Sequence, residues 1–592
     1  MALAVLLMLG QAGKALDSVD FQVPGADRAT VTALRQASAL LSQGKPGTRT
    51  ASDLFADARA EYGRLIDALF ALGYYGPVIH VWVNGKEAAD IPPLAAPSEI
   101  TSIRVEVLTG PLFRFSRTEV VPLAAGTRLP QAFAPGQIAE SGVIQAAVAA
   151  GIDGWRNLGH AKAAVAGQEI TADHGDSTLS AVIGLDPGPI LRFGPLTVTG
   201  AERMRLKRVV QIAGLTPGLR YSPAEVDRAA ERLRRSGVFS SVTLTEDAEV
   251  TPPDRLGLTA EVVEAPLHRY SVGAEIASLD GARLTAGWLH RNLLGGGERL
   301  EITGEVANIA AQSSGLDYAL GVTLDRPATP GRDTNAGLSA SIRHADEVDY
   351  RADTFDAALT FTHWFDDRLT GHWGLGYGWS RGHDDTGEFL FRTADLPLGA
   401  TWDNRNSATD ATRGVYLDAT AKPFAGFGST DDGIRLTFDA RGYTSVAARN
   451  ALTLAARLQG GAVLMADPLH TPRDDLFHSG GGGTVRGLPY QSLGAEVVSG
   501  GATVDIGGTM FLGGSVEARY RLSDTWGAVG FLDVGLVDVG SLALTDTNWQ
   551  SGAGLGVRYQ TGFGPIRLDL ALPVHGGTPG NLQLYVGLGQ SF

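Results

Sequence analysis

The sequence predicts a run of α+β repeats of order β-α-α-β-β, followed by an all-β, sixteen-stranded antiparallel barrel that spans a membrane. Three observations carry this reading. Segments with apolar and polar residues on alternate positions recur throughout the second half, which is the period of a sheet with two unlike faces. A helix that ends in glycine and runs straight into a strand appears three times, about 80 residues apart. Glycine is unevenly spread: of 77 in the 592 residues, 26 lie in 1–265 and 51 in 266–592. Curved sheets use glycine at bends, whereas helices tolerate it poorly.

Composition narrows the function classes. A net charge of -15 argues against a nucleic-acid binder, whose footprint is usually basic. The absence of cysteine excludes a disulfide scaffold and thiolate zinc sites. No run is long and apolar enough for a membrane helix. Met1 to Gly10 is apolar but too short to cross a bilayer, and Gly13-Lys14-Ala15 gives a small-x-small site. Residues 1–15 are therefore expected to be a signal peptide. The usual basic leader is missing, which raises a misplaced start codon.

The first half divides into expected domains at 20–97, 100–188 and 190–265. The repeat markers begin at Gly73, Gly159 and Gly237, each leading into a strand such as Val238 to Leu244. The third unit is the clearest. Phe193 to Thr199 reads as a strand and Arg205 to Ile212 as a helix. Ser222-Pro223-Ala224-Glu225 is a strong helix start, with serine as cap, proline in the first turn and glutamate reaching back. Val226, Ala229, Ala230 and Leu233 make its buried stripe. Leu256 to Val263 supplies the last strand.

Residues 266–592 form the expected barrel. Leu300, Ile302 and Val306 oppose Glu301, Thr303 and Glu305; Val516, Ala518, Tyr520 and Leu522 oppose Glu517, Arg519 and Arg521. Alternation alone fits a soluble sandwich as well as a membrane barrel. Even spacing over the whole half, the need to remove sheet edges, and the final stretch favour the membrane. In Asn581 to Phe592, the residues Leu582, Leu584, Val586, Leu588 and Phe592 share one parity, expected to be the lipid side. Bacterial outer-membrane proteins carry an assembly-signal aromatic at such a position. One connection, 466–511, is far longer than the rest, and loops of that length are usually functional or disordered.

The repeats, with Ser236-Gly237-Val238-Phe239-Ser240-Ser241-Val242, resemble POTRA (polypeptide-transport-associated) domains. The long connection contains Val485-Arg486-Gly487-Leu488-Pro489-Tyr490, which resembles the Arg-Gly-aromatic motif of the inward loop 6 in the POTRA-plus-barrel assembly and secretion superfamily. Phe531-Leu532-Asp533-Val534-Gly535 resembles that family's inner-wall motif. Asn292 to Glu298 and Trp402-Asp403-Asn404-Arg405-Asn406 with Arg413-Gly414 resemble two of its barrel turns. The resemblance implies that Arg486 meets Asp533 inside the barrel, with Val485, Gly487, Phe531 and Gly535 around them. Leu488 stands where the family has an aromatic, and Tyr490 is expected to take over its role.

Three repeats before the barrel resemble the TamA-type branch of this family. That implies a TamB-like periplasmic or inner-membrane partner, unfolded outer-membrane and autotransporter clients, contact with outer-membrane lipid, and periplasmic POTRA domains in a Gram-negative bacterium. A lateral gate is expected between the first and last barrel strands, at Tyr270, Val272, Ala274, Leu584, Val586, Gly587, Gly589 and Phe592. Gly587 and Gly589 serve either gating or strand curvature. A two-partner secretion pore exporting a cognate polypeptide and a plain porin remain the alternatives. No enzyme, cofactor or metal site is expected. Gly480 to Gly483 lacks the lysine of a phosphate loop, His363 and His372 lack metal spacing, and there is no Gly-x-Ser-x-Gly elbow.

Overall fold

In the computed structural model, all three repeat markers are helix stops. Helices Ala51–Ala71, Ser141–Asn157 and Pro223–Arg235 run into Gly73, Gly159 and Gly237, whose φ values are +88°, +89° and +70°. Glycine enters this left-handed region without a Cβ clash and closes the helix end. The structure describes residues 18–42, 49–277, 281–311, 315–347, 350–446, 451–499, 501–545, 547–562, 564–578, 581–590 and 592. The expected signal peptide, 1–15, lies outside them. The chain forms two compact units: 1–195 with 216–227 and 246–258, and 196–215 with 228–245 and 259–592.

The three small sheets share one strand order, in which the last strand lies between the first strand and the one that follows the long helix. These are Asp20–Gln22, Ile103–Leu108 and Val78–Val83; Arg114–Val121, Thr178–Asp186 and Ala164–Asp173; and Arg192–Thr199, Arg255–Glu264 and Phe239–Thr251. The expected boundary between 20–97 and 100–188 is corrected. Ile103–Leu108 is the central strand of the first repeat, parallel to Asp20–Gln22 and antiparallel to Val78–Val83. Ile103, Val105 and Val107 are buried with Leu65, Leu69 and Val81. Alternation shows that a strand has a buried face but not which sheet receives it. The order β-α-α-β-β is also not general: the second repeat has one helix, Ser141–Asn157.

In the first unit, Glu61 is fully buried on the long helix, and its Oε2 accepts the Ala39 N–H at 3.2 Å. That N–H opens the short helix Ala39–Ser42 and would otherwise lack a partner. Burial pushes the Glu61 carboxyl above its ordinary range.

The barrel belongs to the second unit. Its strands are, in order, His268–Ala277, Gly281–His290, Arg299–Ile309, Asp317–Arg326, Thr334–Asp346, Tyr350–Trp364, Leu369–Asp384, Gly387–Asp395 continued by Leu398–Asp403, Gly414–Gly426, Gly433–Ser445, Leu452–Leu464, Met510–Arg521, Trp526–Asp538, Trp549–Thr561, Gly564–His575 and Gln583–Leu588. Each neighbours the next, and the last returns to the first, closing sixteen strands. The eighth strand is broken because Pro397 has no N–H to give the ladder. Both of its pieces still pair with the seventh and ninth strands.

The two faces are inverted relative to a soluble protein. Leu338, Leu375, Leu532 and Leu568 point outward and are 43–59% exposed. Glu517, Arg519, Asp533, Arg558 and Asp569 point inward and are at most 7% exposed. A closed wall with an apolar outside and a charged lining suits a bilayer, where hydrocarbon covers the outer face.

Glu61 gives a pH-dependent prediction. A carboxyl raised in the folded state stabilises most below the ordinary carboxylate range, and that contribution is lost as pH rises through the raised value. Glu61→Gln keeps the acceptor for Ala39 and removes the buried charge. It should raise the melting temperature of the N-terminal unit at pH 7 more than at pH 4, read by calorimetry. Glu61→Ala should lower it at both, by about 1–3 kcal/mol for the unpartnered N–H.

Candidate functional site

Residues 465–509 connect the eleventh and twelfth barrel strands and carry a short hairpin, Ala495–Ser499 with Ala502–Ile506. The segment before the hairpin brings Arg486 to the inner wall. Its Nε donates to Asp533 Oδ2 at 2.7 Å and its Nη2 to Asp533 Oδ1 at 2.9 Å, a bidentate pair. Nη1 donates to Glu517 at 2.8 Å and to Asp569 at 3.4 Å. The guanidinium lies 3.5 Å from the Phe531 ring centre, a cation–π contact.

Two further arginines complete the cluster. Arg519 Nε donates to Glu517 Oε2 at 2.8 Å, and Arg558 pairs with Asp569. Three arginines thus face three carboxylates, and each of the six side chains is at most 7% exposed. Charges buried this deeply are tolerated only when paired and hydrogen-bonded.

The motif glycines have separate reasons. Gly487 has φ +95°, and a Cβ there would lie 2.7 Å from the Leu572 carbonyl group. A Cβ on Gly535 would lie 2.1 Å from Ser479 Oγ and 2.9 Å from Val485, itself fully buried. Tyr585 of the last strand also holds the loop: its hydroxyl accepts the Gly487 N–H at 3.1 Å and donates to the Leu488 carbonyl at 3.4 Å. Leu488 is buried where an aromatic was expected. Tyr490 does not enter the Arg486 cluster. It is half-buried, and its hydroxyl accepts from Gln491 Nε2 at 3.0 Å.

A second anchor escaped the sequence reading. Arg473 Nε donates to Asp384 at 2.6 Å and lies over Phe389 and Phe391. Asp474 pairs with Arg343 and accepts from the Tyr350 hydroxyl at 2.7 Å. Asp475 meets Lys422 at 2.5 Å and Arg435 at 3.6 Å. The loop is therefore tied to strands five to ten by one triplet and to strands twelve to sixteen by the other. The charge run Arg473-Asp474-Asp475 was visible in the sequence, but its wall partners are scattered over six strands.

Among the described residues the seam between first and last strands is the thinnest joint. Among the described residues it holds two pairs, Ile276 with Val586 and Ala277 with Tyr585. The sixth and seventh strands pair over fifteen. Tyr270 and Val272 are 75% and 86% exposed, and neither they nor Ala274 pair with the last strand. Leu584 is exposed on the outer parity and Val586 is half-buried there. Gly587 has a specific task. A Cβ there would lie 2.9 Å from Arg567 Nε, and Arg567 crosses the last strand at this point to reach Glu275 at 2.6 Å. Phe592 is corrected: the last strand ends at Leu588, Gly589 has φ +90°, and Phe592 turns inward instead of facing lipid. Parity holds only while a strand continues.

The two family-like turns also have structural jobs within this unit. Asn292 Oδ1 accepts the Gly297 N–H, and the Gly295 and Gly296 carbonyls accept from Arg205 N–H and Arg208 Nε of the third repeat. Asp403 is held bidentately by Arg405 at 2.9 and 2.8 Å.

Residues 292–592 match the Omp85 superfamily domain. The chain belongs to the Omp85 superfamily. The fold is similar to that of BamA from Haemophilus ducreyi lacking POTRA domains 1-3, with TM-score 0.62 and 17% identity over 80% of this chain and 100% of that one. It is also similar to CdiB from Acinetobacter baumannii, with TM-score 0.54 and 12% identity over 81% and 90% of the two chains. CdiB from Escherichia coli gives TM-score 0.51 and 15% identity over 81% and 91%. This Omp85 chain is an outer-membrane β-barrel with POTRA-like domains.

Two outcomes follow. Arg486→Ala leaves three carboxylates facing two arginines and should destabilise the barrel by about 3–5 kcal/mol. The fast-migrating folded band on gels should then unfold at a lower temperature. Gly587→Val should displace Arg567 from Glu275 and lower that temperature as Glu275→Gln does; because both break one contact, the double variant should lose little more than either alone.

Proposed function

We propose that this protein assembles outer-membrane polypeptides by lending them the edge of its first barrel strand. The observation that carries the reading is the first-strand edge from His268 to Glu275, which pairs with no residue of the last strand among the described residues. In hydrocarbon each unpaired backbone group costs several kcal/mol, so an uncovered strand edge favours any chain that can pair with it. A client hairpin meets that demand by β-augmentation. The free energy comes from the client's own folding, so no nucleotide, cofactor or catalytic group takes part.

The three repeats favour a TamA-type factor over a porin, which has no such region. In this reading they lie in the periplasm, meet a TamB-like partner and receive unfolded autotransporters and other β-barrel clients. The second repeat offers a suitable surface: Ala164–Asp173 is an edge strand with nearly every residue exposed. The inward loop, tied at both ends, keeps the lumen obstructed while the seam works sideways.

The test uses the absence of native cysteine. Ile276→Cys with Val586→Cys places two thiols at paired seam positions. Oxidation should stop insertion of an autotransporter into membranes containing the protein, and reduction should restore it. Undiminished insertion by the oxidised form rules out the lateral route.

A further inference from the structure

Far from the Arg486 cluster, one buried carboxyl of the second unit forms no ion pair among the described residues. Glu347 follows the fifth barrel strand, in the short connection to the sixth, and is 7% exposed. Its backbone N–H donates to the Tyr350 carbonyl at 2.9 Å, which tightens that connection. Its side chain is hydrogen-bonded to Asp317, the first residue of the fourth strand. Its Oε2 is buried with no partner among the described residues.

The Asp317 carboxylate is already filled as an acceptor. Its Oδ1 accepts the Asp346 N–H at 2.7 Å and its Oδ2 accepts Asn308 Nδ2 at 3.1 Å. An ionised Glu347 could only accept as well, and two acceptors make no hydrogen bond. The bond between them therefore needs a proton, and Glu347 is the partner left to carry it. Local positive charge is committed elsewhere. Arg351 pairs with Asp346, and Arg343 pairs with Asp474 of the inward loop. Asp474 also accepts from the Tyr350 hydroxyl at 2.7 Å and from Thr354 Oγ1 at 3.1 Å. The charged and titratable groups that face Glu347 are Asp317, Arg343, Tyr350, Asp474 and, from the inward loop again, Tyr490.

We propose that Glu347 is a proton-operated clasp for the inward loop: protonated, it bonds Asp317 and leaves Arg343 to Asp474; ionised, it competes for Arg343 and loosens the Asp474 anchor. The Arg486 anchor has no part in this, so the loop slackens at one end only. Burial, and next the Asp317 carboxylate, push the Glu347 carboxyl up to about 8. A group raised in this way stabilises the fold fully below the ordinary carboxylate range, and that contribution is lost as pH rises through the raised value. The clasp is thus closed at pH 7 and open at pH 9.5. It concerns the loop alone and stands independently of the lateral route.

The test is infrared spectroscopy on the full-length protein. The difference between the native chain and Glu347→Gln should show the carbonyl band of a protonated carboxyl at pH 7, and that band should vanish by pH 9.5. Its absence at pH 7 overturns the proposal. Asp474→Asn frees Arg343 to pair with Glu347, so in that background the band should already be lost at pH 7. A band left unchanged there detaches Glu347 from the loop and also overturns the clasp. In urea, the barrel's unfolding constant should rise about tenfold between pH 7 and 9.5 relative to Glu347→Gln, whose amide does not titrate. Equal pH dependence of the two proteins rejects the clasp. Each variant is first checked for the fast-migrating folded band. Asp317→Asn, which keeps Glu347 and removes the neighbouring charge, should move the loss of the band to lower pH; an unmoved loss counts against the pair.

Discussion

Arg486 is a charge that the barrel interior cannot leave alone. Taking a guanidinium out of water is costly, and only bonded counter-charges offset it. The wall answers with Asp533 in a bidentate grip, Glu517 and Asp569 on the remaining nitrogen, and Phe531 beneath the plane. Those carboxylates need charges of their own, which brings in Arg519 and Arg558. One inserted arginine thus fixes the inward parity of strands twelve to fifteen around it. It also fixes the loop, because Gly487 and Val485 can dock only where the wall supplies Gly535 and the Leu572 carbonyl at close range.

The cluster explains why the last strand differs from the others. Tyr585 must face inward to bind the loop backbone at Gly487 and Leu488. Gly587 must lack a side chain so that Arg567 can pass over the strand to Glu275. Beyond Gly589, Arg558 and Arg519 hold Gln590 and Phe592 inward.

Much of this was legible in advance. Sixteen strands, the inward parity of Asp533 and its meeting with Arg486 follow from period-two patterning and a motif resemblance. The helix-stop glycines located all three repeats. Where the reading failed, the missing information was long-range. Ile103, Val105 and Val107 announce a buried face, but sequence does not say that Leu65 and Leu69 cover it. Phe592 has the right parity for lipid, but parity loses meaning once Gly589 breaks the strand. The Arg473 anchor draws its partners from strands five to ten, so no local spacing encodes it.

The sequence by itself determined the elements and their faces, since alternation, capping and left-handed glycines act over a few residues. Tertiary structure alone decided which charges share the lumen, where the seam thins, and which way the last residues turn. Those outcomes depend on closure, which brings distant strands into one confined space where each buried charge must find a partner or be expelled.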